Sequence, residues 1–379
     1  MVKTHQTMSN LDFFYLLREL SVLKGARLAK VYGFAPDAPK LFRLKFKSVG
    51  GELNLHVDLN FGMWFSKYLR EPPKQPSAFV AKLRKDLENA VLSEIRQLNF
   101  DRVVSLVFST KFGKRVLIAE FVGSGNLLLL DEEGKIIQAV ESRGFASRKL
   151  HAGVKYAPPP CEKKNPRELG EGDLRELRGG VVPVLFKKIN LSPFYLEEVC
   201  ARAGIASDKK IENLKVEQHN AIVKHCKKLF EEEFKPIVYK RDERTTAFAP
   251  FKLKKFEGFA SVEFKSFSEA LDAYYANVEF LSTREKAIKA FEEELRELRN
   301  LLSEQERASS ALSVEAGEKK MVGDWIKENL SLVESAIVEA GKLKKGVSIS
   351  EVEQKIVSLN EKIKKASVIG RELVLDVAV

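Results

Sequence analysis

Between Arg27 and Glu141 the chain falls into short apolar stretches that turn back after a few polar residues, and this rhythm restricts the fold more than any other feature. Residues 27–33 (RLAKVYG), 40–47 (KLFRLKFK) and 52–59 (ELNLHVDL) read as strands. In the third, Leu53, Leu55 and Val57 alternate with polar residues, as side chains do on a strand with one buried face. Gly50-Gly51 supplies the hairpin turn before it. Further strands are expected at about 102–110, 114–122, 125–131 and 135–141. Such short connections join antiparallel neighbours, because a parallel pair needs a crossover of about a dozen residues or more. Two helices flank these strands. Residues 9–24 have Ser9 and Asp12 at capping-box spacing and an apolar stripe of Leu16, Leu17, Leu20 and Leu23. Residues 77–90 follow PPKQPS and carry Phe79, Leu83 and Leu87 on one face. Residues 1–160 are therefore expected to form an α+β domain, a mostly antiparallel sheet with helices at one side or end.

The pattern then changes. YAPPP and a charged, Gly-rich stretch predict a linker over 161–180. Residues 181–234 are helical in pattern. SPFYLEEVCARAGI has a Ser cap, Pro at the first helical position and a stop at Gly204. With KVEQHNAIVKHCKKLFEEEF it suggests a helix–turn–helix-like unit. Residues 235–280 open with a basic β element that interleaves Lys and Arg with Tyr239, Phe248, Phe251, Phe256, Phe259 and Phe264. These rings are expected in a core rather than as base-stacking platforms. Farther on, Ile288, Phe291, Leu295, Leu298 and Leu302 form a heptad-like seam, and Val352, Ile356, Leu359 and Ile363 form a second. Together they predict an antiparallel coiled-coil arm, outgoing over 281–310 and returning over 347–379. Residues 311–346, with Val322, Ile326, Leu330, Val333 and Ile337 on one face, are expected as a helical tip.

Several function classes have no support. No apolar run approaches the roughly 20 residues of a membrane-spanning helix, and MVKTHQTMSNLDFF has no signal-like apolar core. A cytoplasmic protein without membrane partners is expected. Cys161, Cys200 and Cys226 are widely spaced and form no CxxC pair, so neither a zinc site nor another metal or cofactor is predicted. No P-loop, HExxH or nucleophile elbow is present. GSGN at 123–126 runs into LLLL, which reads as a β-turn, and Glu231-Glu232-Glu233 reads as a solvated helix end. A net charge of +11 favours polyanions, nucleic acid foremost. Within RQLNFDRVVSLVF, a helix is expected to end near Asn99 and a strand to begin at Val103, with Asp101-Arg102 between them. From the residues alone the pair is a solvated turn or a polar tool at the mouth of a strand. Asp12 reads first as a helix cap, accepting from free backbone N–H groups.

The order of segments resembles the NFACT family, the RqcH-type ribosome quality-control proteins. The resemblance rests on SNLDFFYLLREL, GARLAKVYGF, the PP…FVAKLRKDL helix, NFDRVV, GNLLLLDEEGKII and SPFYLEEVCARAGI. GEKKMVGDWIKENLSLVESAIVEA, between the long helices, completes it. It implies an N-terminal domain related in fold to formamidopyrimidine-type DNA glycosylases, a helix-two-turn-helix domain over 181–234, and a coiled-coil arm with a middle domain at its tip. It also implies binding to a large ribosomal subunit, through rRNA and peptidyl-tRNA, and recruitment of aminoacyl-tRNA for tailing without mRNA. The peptide-bond chemistry would be the ribosome's, so no enzyme is expected. The family's functional residues fall on Asp12, Asp101 and Arg102, as tRNA-facing groups. Members usually continue into an NFACT-R domain, which nothing here represents; a separate protein supplying it is one alternative, and homodimerisation through the arm is left open. A glycosylase or lyase is not expected, since the chain begins Met-Val-Lys and has no cysteine cluster. A scaffold or adhesin is the remaining alternative.

Overall fold

The computed structural model describes residues 5–145, 147–241, 244–345 and 347–378. Expected segments that include residues 1–4, 146, 242–243, 346 and 379 reach outside the described residues there. The chain divides into two units, Met1–Thr283 and Arg284–Val379.

The first unit is α+β. Helix α1 (Asn10–Leu20) starts at a complete capping box. The Ser9 hydroxyl accepts from the Asp12 N–H, and the Asp12 carboxylate accepts from the Ser9 N–H. Then come strands β1 (Arg27–Phe34), β2 (Ala38–Ser48), β3 (Gly51–Asp58) and β4 (Gly62–Phe65), and helix α2 (Ala78–Leu87), which Ser77 caps. Five more strands follow: β5 (Val91–Gln97), β6 (Val103–Thr110), β7 (Gly113–Glu120), β8 (Asn126–Leu130) and β9 (Ile136–Ala139). All nine form one antiparallel sheet in the order β4-β3-β2-β1-β5-β6-β7-β8-β9. It is two meanders joined at a thin seam, where only Arg27 and Val91 pair between β1 and β5. A short hairpin, β10 (Arg143–Gly144) with β11 (Lys149–Leu150), follows β9.

One expectation is corrected here. Residues 91–97 are a strand, not the end of a helix, so Asp101-Arg102 lies at a hairpin. The pairing of β5 with β6 is interrupted between Leu92 and Glu94. The extra residue puts Leu92 and Ile95, three apart, into the same core, and that spacing imitates a helical stripe.

Helices α3 (Val181–Lys188), α4 (Pro193–Arg202) and α5 (Val216–Lys228) follow the expected pattern, and Gly204 with φ 68° ends α4. Strands β12 (Ile237–Arg241), β13 (Arg244–Ala249) and β14 (Ala260–Glu263) form a small sheet with β12 central. Its two faces serve different cores. The cross-strand pair Val238 and Phe248 joins α2 and the large sheet, while Tyr239 and Ala247 join α3, α4 and α5. Helix α1 is likewise shared: Phe13, Leu16 and Leu20 enter the first core, Leu11 and Tyr15 the second. The expected linker is packed, since Leu169 and Leu174 are buried in that second core. The rings expected in a core are mostly there: Phe248 and Phe251 are buried, and Phe259 is exposed.

Helix α6 (Phe267–Glu328) begins in the first unit and continues through the second. The second unit adds α7 (Leu330–Ala340), α8 (Ile349–Val357) and the hairpin β15 (Ile363–Ile369) with β16 (Glu372–Val377). The expected returning helix over 347–379 is thus nine residues of helix and a hairpin. Val352 and Ile356 are buried on α8, but Ile363 is buried as the first residue of a strand. The spacing of the seam ran across a corner. The face expected for the tip is not the packed one: Val322, Leu330 and Ile337 are exposed, and Ala336 is buried. On the outgoing seam Ile288, Phe291, Leu298 and Leu302 are exposed. Among the described residues no helix is long and apolar enough to cross a membrane.

Candidate nucleic-acid interface

The turn between β5 and β6 has an unusual backbone. Asn99 and Phe100 are both left-handed, with φ 51° and 50°, and the Asp101 N–H donates to the Leu98 carbonyl at 2.8 Å. Two consecutive left-handed residues match the twist of a tight hairpin. Asn tolerates that region, whereas a bulky ring is strained in it. The surroundings hold Phe100 there. Its ring packs 6.4 Å from that of Phe14 and 5.1 Å from that of Phe230. Its carbonyl accepts from the side-chain amides of Asn10 at 3.3 Å and Asn190 at 3.0 Å. Gln97 donates to the carbonyls of Asn10 at 2.8 Å and Asp101 at 2.9 Å. Groups from α1, the end of β5 and the residue after Ile189 therefore fix one turn.

That turn presents Asp101 and Arg102, both half-buried. Asp101 Oδ1 accepts from the Arg102 backbone N–H at 2.7 Å. The Arg102 guanidinium has no hydrogen bond or ion pair among the described residues. Burial lowers the affinity of Arg102 for its proton and the Asp101 charge raises it; an arginine stays charged under such opposing pulls. The two side chains are not a closed ion pair. The carboxylate shapes the backbone, and the planar fork of donors is left uncommitted.

Asp12 is placed differently. It is fully buried. Oδ2 accepts from the Ser9 N–H at 2.7 Å, and Oδ1 accepts from the Tyr195 hydroxyl at 2.5 Å. Burial pushes its pKa from the usual 3.8 up to about 6, against the downward pull of the Tyr195 and Ser9 hydrogen bonds. The carboxylate is enclosed and does not share the rim with Asp101 and Arg102. It caps α1 and ties that helix to α4.

Further cations lie close by. The Arg18 guanidinium is 4.6 Å from the Phe14 ring, and that of Arg167 is 5.5 Å from the same ring and 5.2 Å from Phe230. The ammonium of Lys163 sits 3.5 Å over Phe186. Phe14 and Arg18, four apart on α1, were a legible pair on one helix face. Lys163 and Arg167 stand in the stretch read as a linker, where no periodicity marks them. Asn10 and Asn190 had no signal either, because their partner is a backbone carbonyl.

With this geometry in view, comparison with known proteins gives consistent matches. The family model for the NFACT N-terminal and middle domains matches residues 10–360. The chain is 30% identical over 345 residues to the archaeal Rqc2 homolog aRqcH of Methanocaldococcus jannaschii, covering 87% of this chain and 51% of that protein. It is 39% identical over 133 residues to ribosome quality control complex subunit 2 of Saccharomyces cerevisiae, covering 35% of this chain and 12% of that one. The Rqc2 homolog RqcH of Streptococcus pneumoniae R6 is 30% identical over 252 residues, 62% of this chain and 42% of its own length. The chain thus spans about half the length of the archaeal relative and less of the other two. Among solved structures, the fibrinogen binding protein from Staphylococcus aureus aligns with TM-score 0.59 at 21% identity, over 70% of this chain and 98% of that one. At that identity the likeness is one of fold.

Proposed function

The chain belongs to the NFACT family, and from that premise we propose that it acts in ribosome-associated quality control in the cytoplasm. It binds a large ribosomal subunit obstructed by peptidyl-tRNA and recruits tRNA for tailing of the stalled chain without mRNA. The match across residues 10–360 carries this reading, and the likeness to a yeast protein named ribosome quality control complex subunit 2 agrees with it. The net charge of +11 suits a polyanionic partner.

In this reading Arg102 offers its fork to a phosphate or a base edge of a tRNA loop. Asp101 keeps one carboxylate oxygen for base N–H or ribose hydroxyl groups, since only Oδ1 is engaged by the Arg102 backbone. Asp12 works from behind, holding α1 against α4 through Tyr195. Peptide-bond formation is left to the ribosome, and no cofactor is required.

Pull-down of large subunits and of tRNA over a salt series tests the proposal. Retention of both, weakening steeply as salt rises, is expected, because phosphate contacts release counterions. A chain that retains neither overturns it. The double variant Asp101→Ala/Arg102→Ala is expected to impair tRNA binding more than subunit binding. Equal loss of both would remove the turn from the tRNA site.

A further inference from the structure

Lys163 has a fixed place and, among the described residues, no hydrogen-bonded or ion-paired anion. Its ammonium lies 3.5 Å over the Phe186 ring of α3. Lys164, the next residue, pairs with the end of the same helix: its N–H donates to the Lys188 carbonyl at 2.9 Å, and its carbonyl accepts from the Asn190 N–H at 2.9 Å. Asn190 in turn grips the Phe100 carbonyl. Lys163, Phe186 and the Asp101-Arg102 turn therefore belong to one continuously bonded piece.

The charges around it are unbalanced. Burial holds the Lys163 ammonium below the usual lysine range; the Cys161 and Asp101 groups pull it up, and Arg102 pushes it down. Lys163 thus lies in the field of Arg102, and neither side chain has a hydrogen bond or ion pair among the described residues. Other lysines show the usual remedy. Lys164 is bonded to Asp173 at 2.6 Å, and Lys255, which also covers a phenylalanine, reaches Glu197 at 3.1 Å. The one carboxylate identified in the field of both cations, Asp101, already binds a backbone N–H. Two partly desolvated cations held on one bonded piece cost free energy unless an anion joins them.

We infer that Lys163 and Arg102 together bind one backbone phosphate of RNA, with Phe186 holding the ammonium in position. The inference rests on the tRNA reading above and adds the contact that sets register. Phosphate contacts position a nucleic acid, and groups such as Asp101 can then read the adjoining nucleotide. Phe186 is a positioning residue: the stacked ring limits the wandering of a flexible side chain.

Binding of bulk deacylated tRNA to the full chain, measured over a salt series, tests this. One phosphate contact contributes about 0.7 to 0.9 to the slope of log affinity against log salt. Lys163→Gln leaves Arg102 alone on that phosphate, so it is expected to lower the slope by part of that value and weaken binding several-fold, while Lys163→Arg keeps the slope. Should Lys163→Gln melt early, Phe186→Leu decides, because it frees the ammonium without removing it; unchanged affinity and slope would overturn the inference. If Arg102→Ala lowers the slope and Lys163→Gln does not, Lys163 makes no such contact and the inference falls while the tRNA reading stands. If the unmodified chain binds no tRNA, both fall. Calorimetric titration with inorganic phosphate separates the two sources of the anion. Lys163-dependent binding of free phosphate with an unaltered tRNA slope would mark a small-anion site and sink the RNA assignment.

Discussion

Asp12 shows how one buried carboxyl group couples stability to pH. Its folded pKa of about 6 lies above the usual 3.8, so the folded chain binds a proton more tightly than the unfolded chain does. Stability from this group is therefore fully present below about pH 4 and is lost as pH rises from there through 6, by about 3 kcal/mol in all. Asp12→Asn should flatten that part of the profile, which urea denaturation at stepped pH would read. An unchanged slope between pH 4 and 6 would mean the carboxyl is not buried as described. Tyr195 supplies the bond that makes the ionised form tolerable. Tyr195→Phe is expected to cost about 1–3 kcal/mol at pH 7 and less at pH 5, where Asp12 is mostly protonated. Equal losses at the two pH values would separate Tyr195 from the titration. The capping role of Asp12 was legible from Ser9 three residues earlier. Its bond to Tyr195 was not, because the two lie 183 positions apart in the sequence.

Among elements, the hairpin of β5 and β6 carries the greatest weight in the proposed function, and the spacing of its first strand is misleading. Its turn keeps two non-glycine residues left-handed, a cost of order 1–3 kcal/mol each for a poorly tolerated residue. The amides of Asn10 and Asn190 bear on the Phe100 carbonyl. Asn190→Ala should remove one of these supports, lowering stability by about 1 kcal/mol. It should also speed hydrogen exchange at the Asp101 amide, which donates to Leu98. Unchanged exchange would show that the turn needs no outside clasp. Strands without a bulge of their own, such as β3 and β6, are legible nearly to their ends. The errors fell where alternation breaks or a short helix hands over to a strand. The bulge near Ser93 gave β5 a helical spacing. In the second unit, a helix from Ile349 to Val357 followed by a strand from Ile363 imitated one long apolar seam.

For the molecule as a whole, the divisions of the sequence and those of the packing differ. The sequence suggests separate N-terminal, linker, helical and basic β segments. The core that buries Leu11 and Tyr15 of α1 draws on all four. A fragment ending at residue 160 would leave those side chains without most of the core that buries them, so it should not fold to its native state. Residues 284–379 behave differently. Ala336, Val352, Ile356, Ile363 and Ala366 form a cluster of their own, and among the described residues no buried cluster draws on both units. Ile356→Ala leaves a cavity in that small cluster and should cost about 2–5 kcal/mol. Because the cluster is separate, the loss should appear as an earlier transition in the second unit alone. Scanning calorimetry would then show one transition moved and another in place, with the tRNA binding proposed for the Asp101-Arg102 turn unchanged. A single cooperative transition displaced as a whole would instead mean that the two units melt as one.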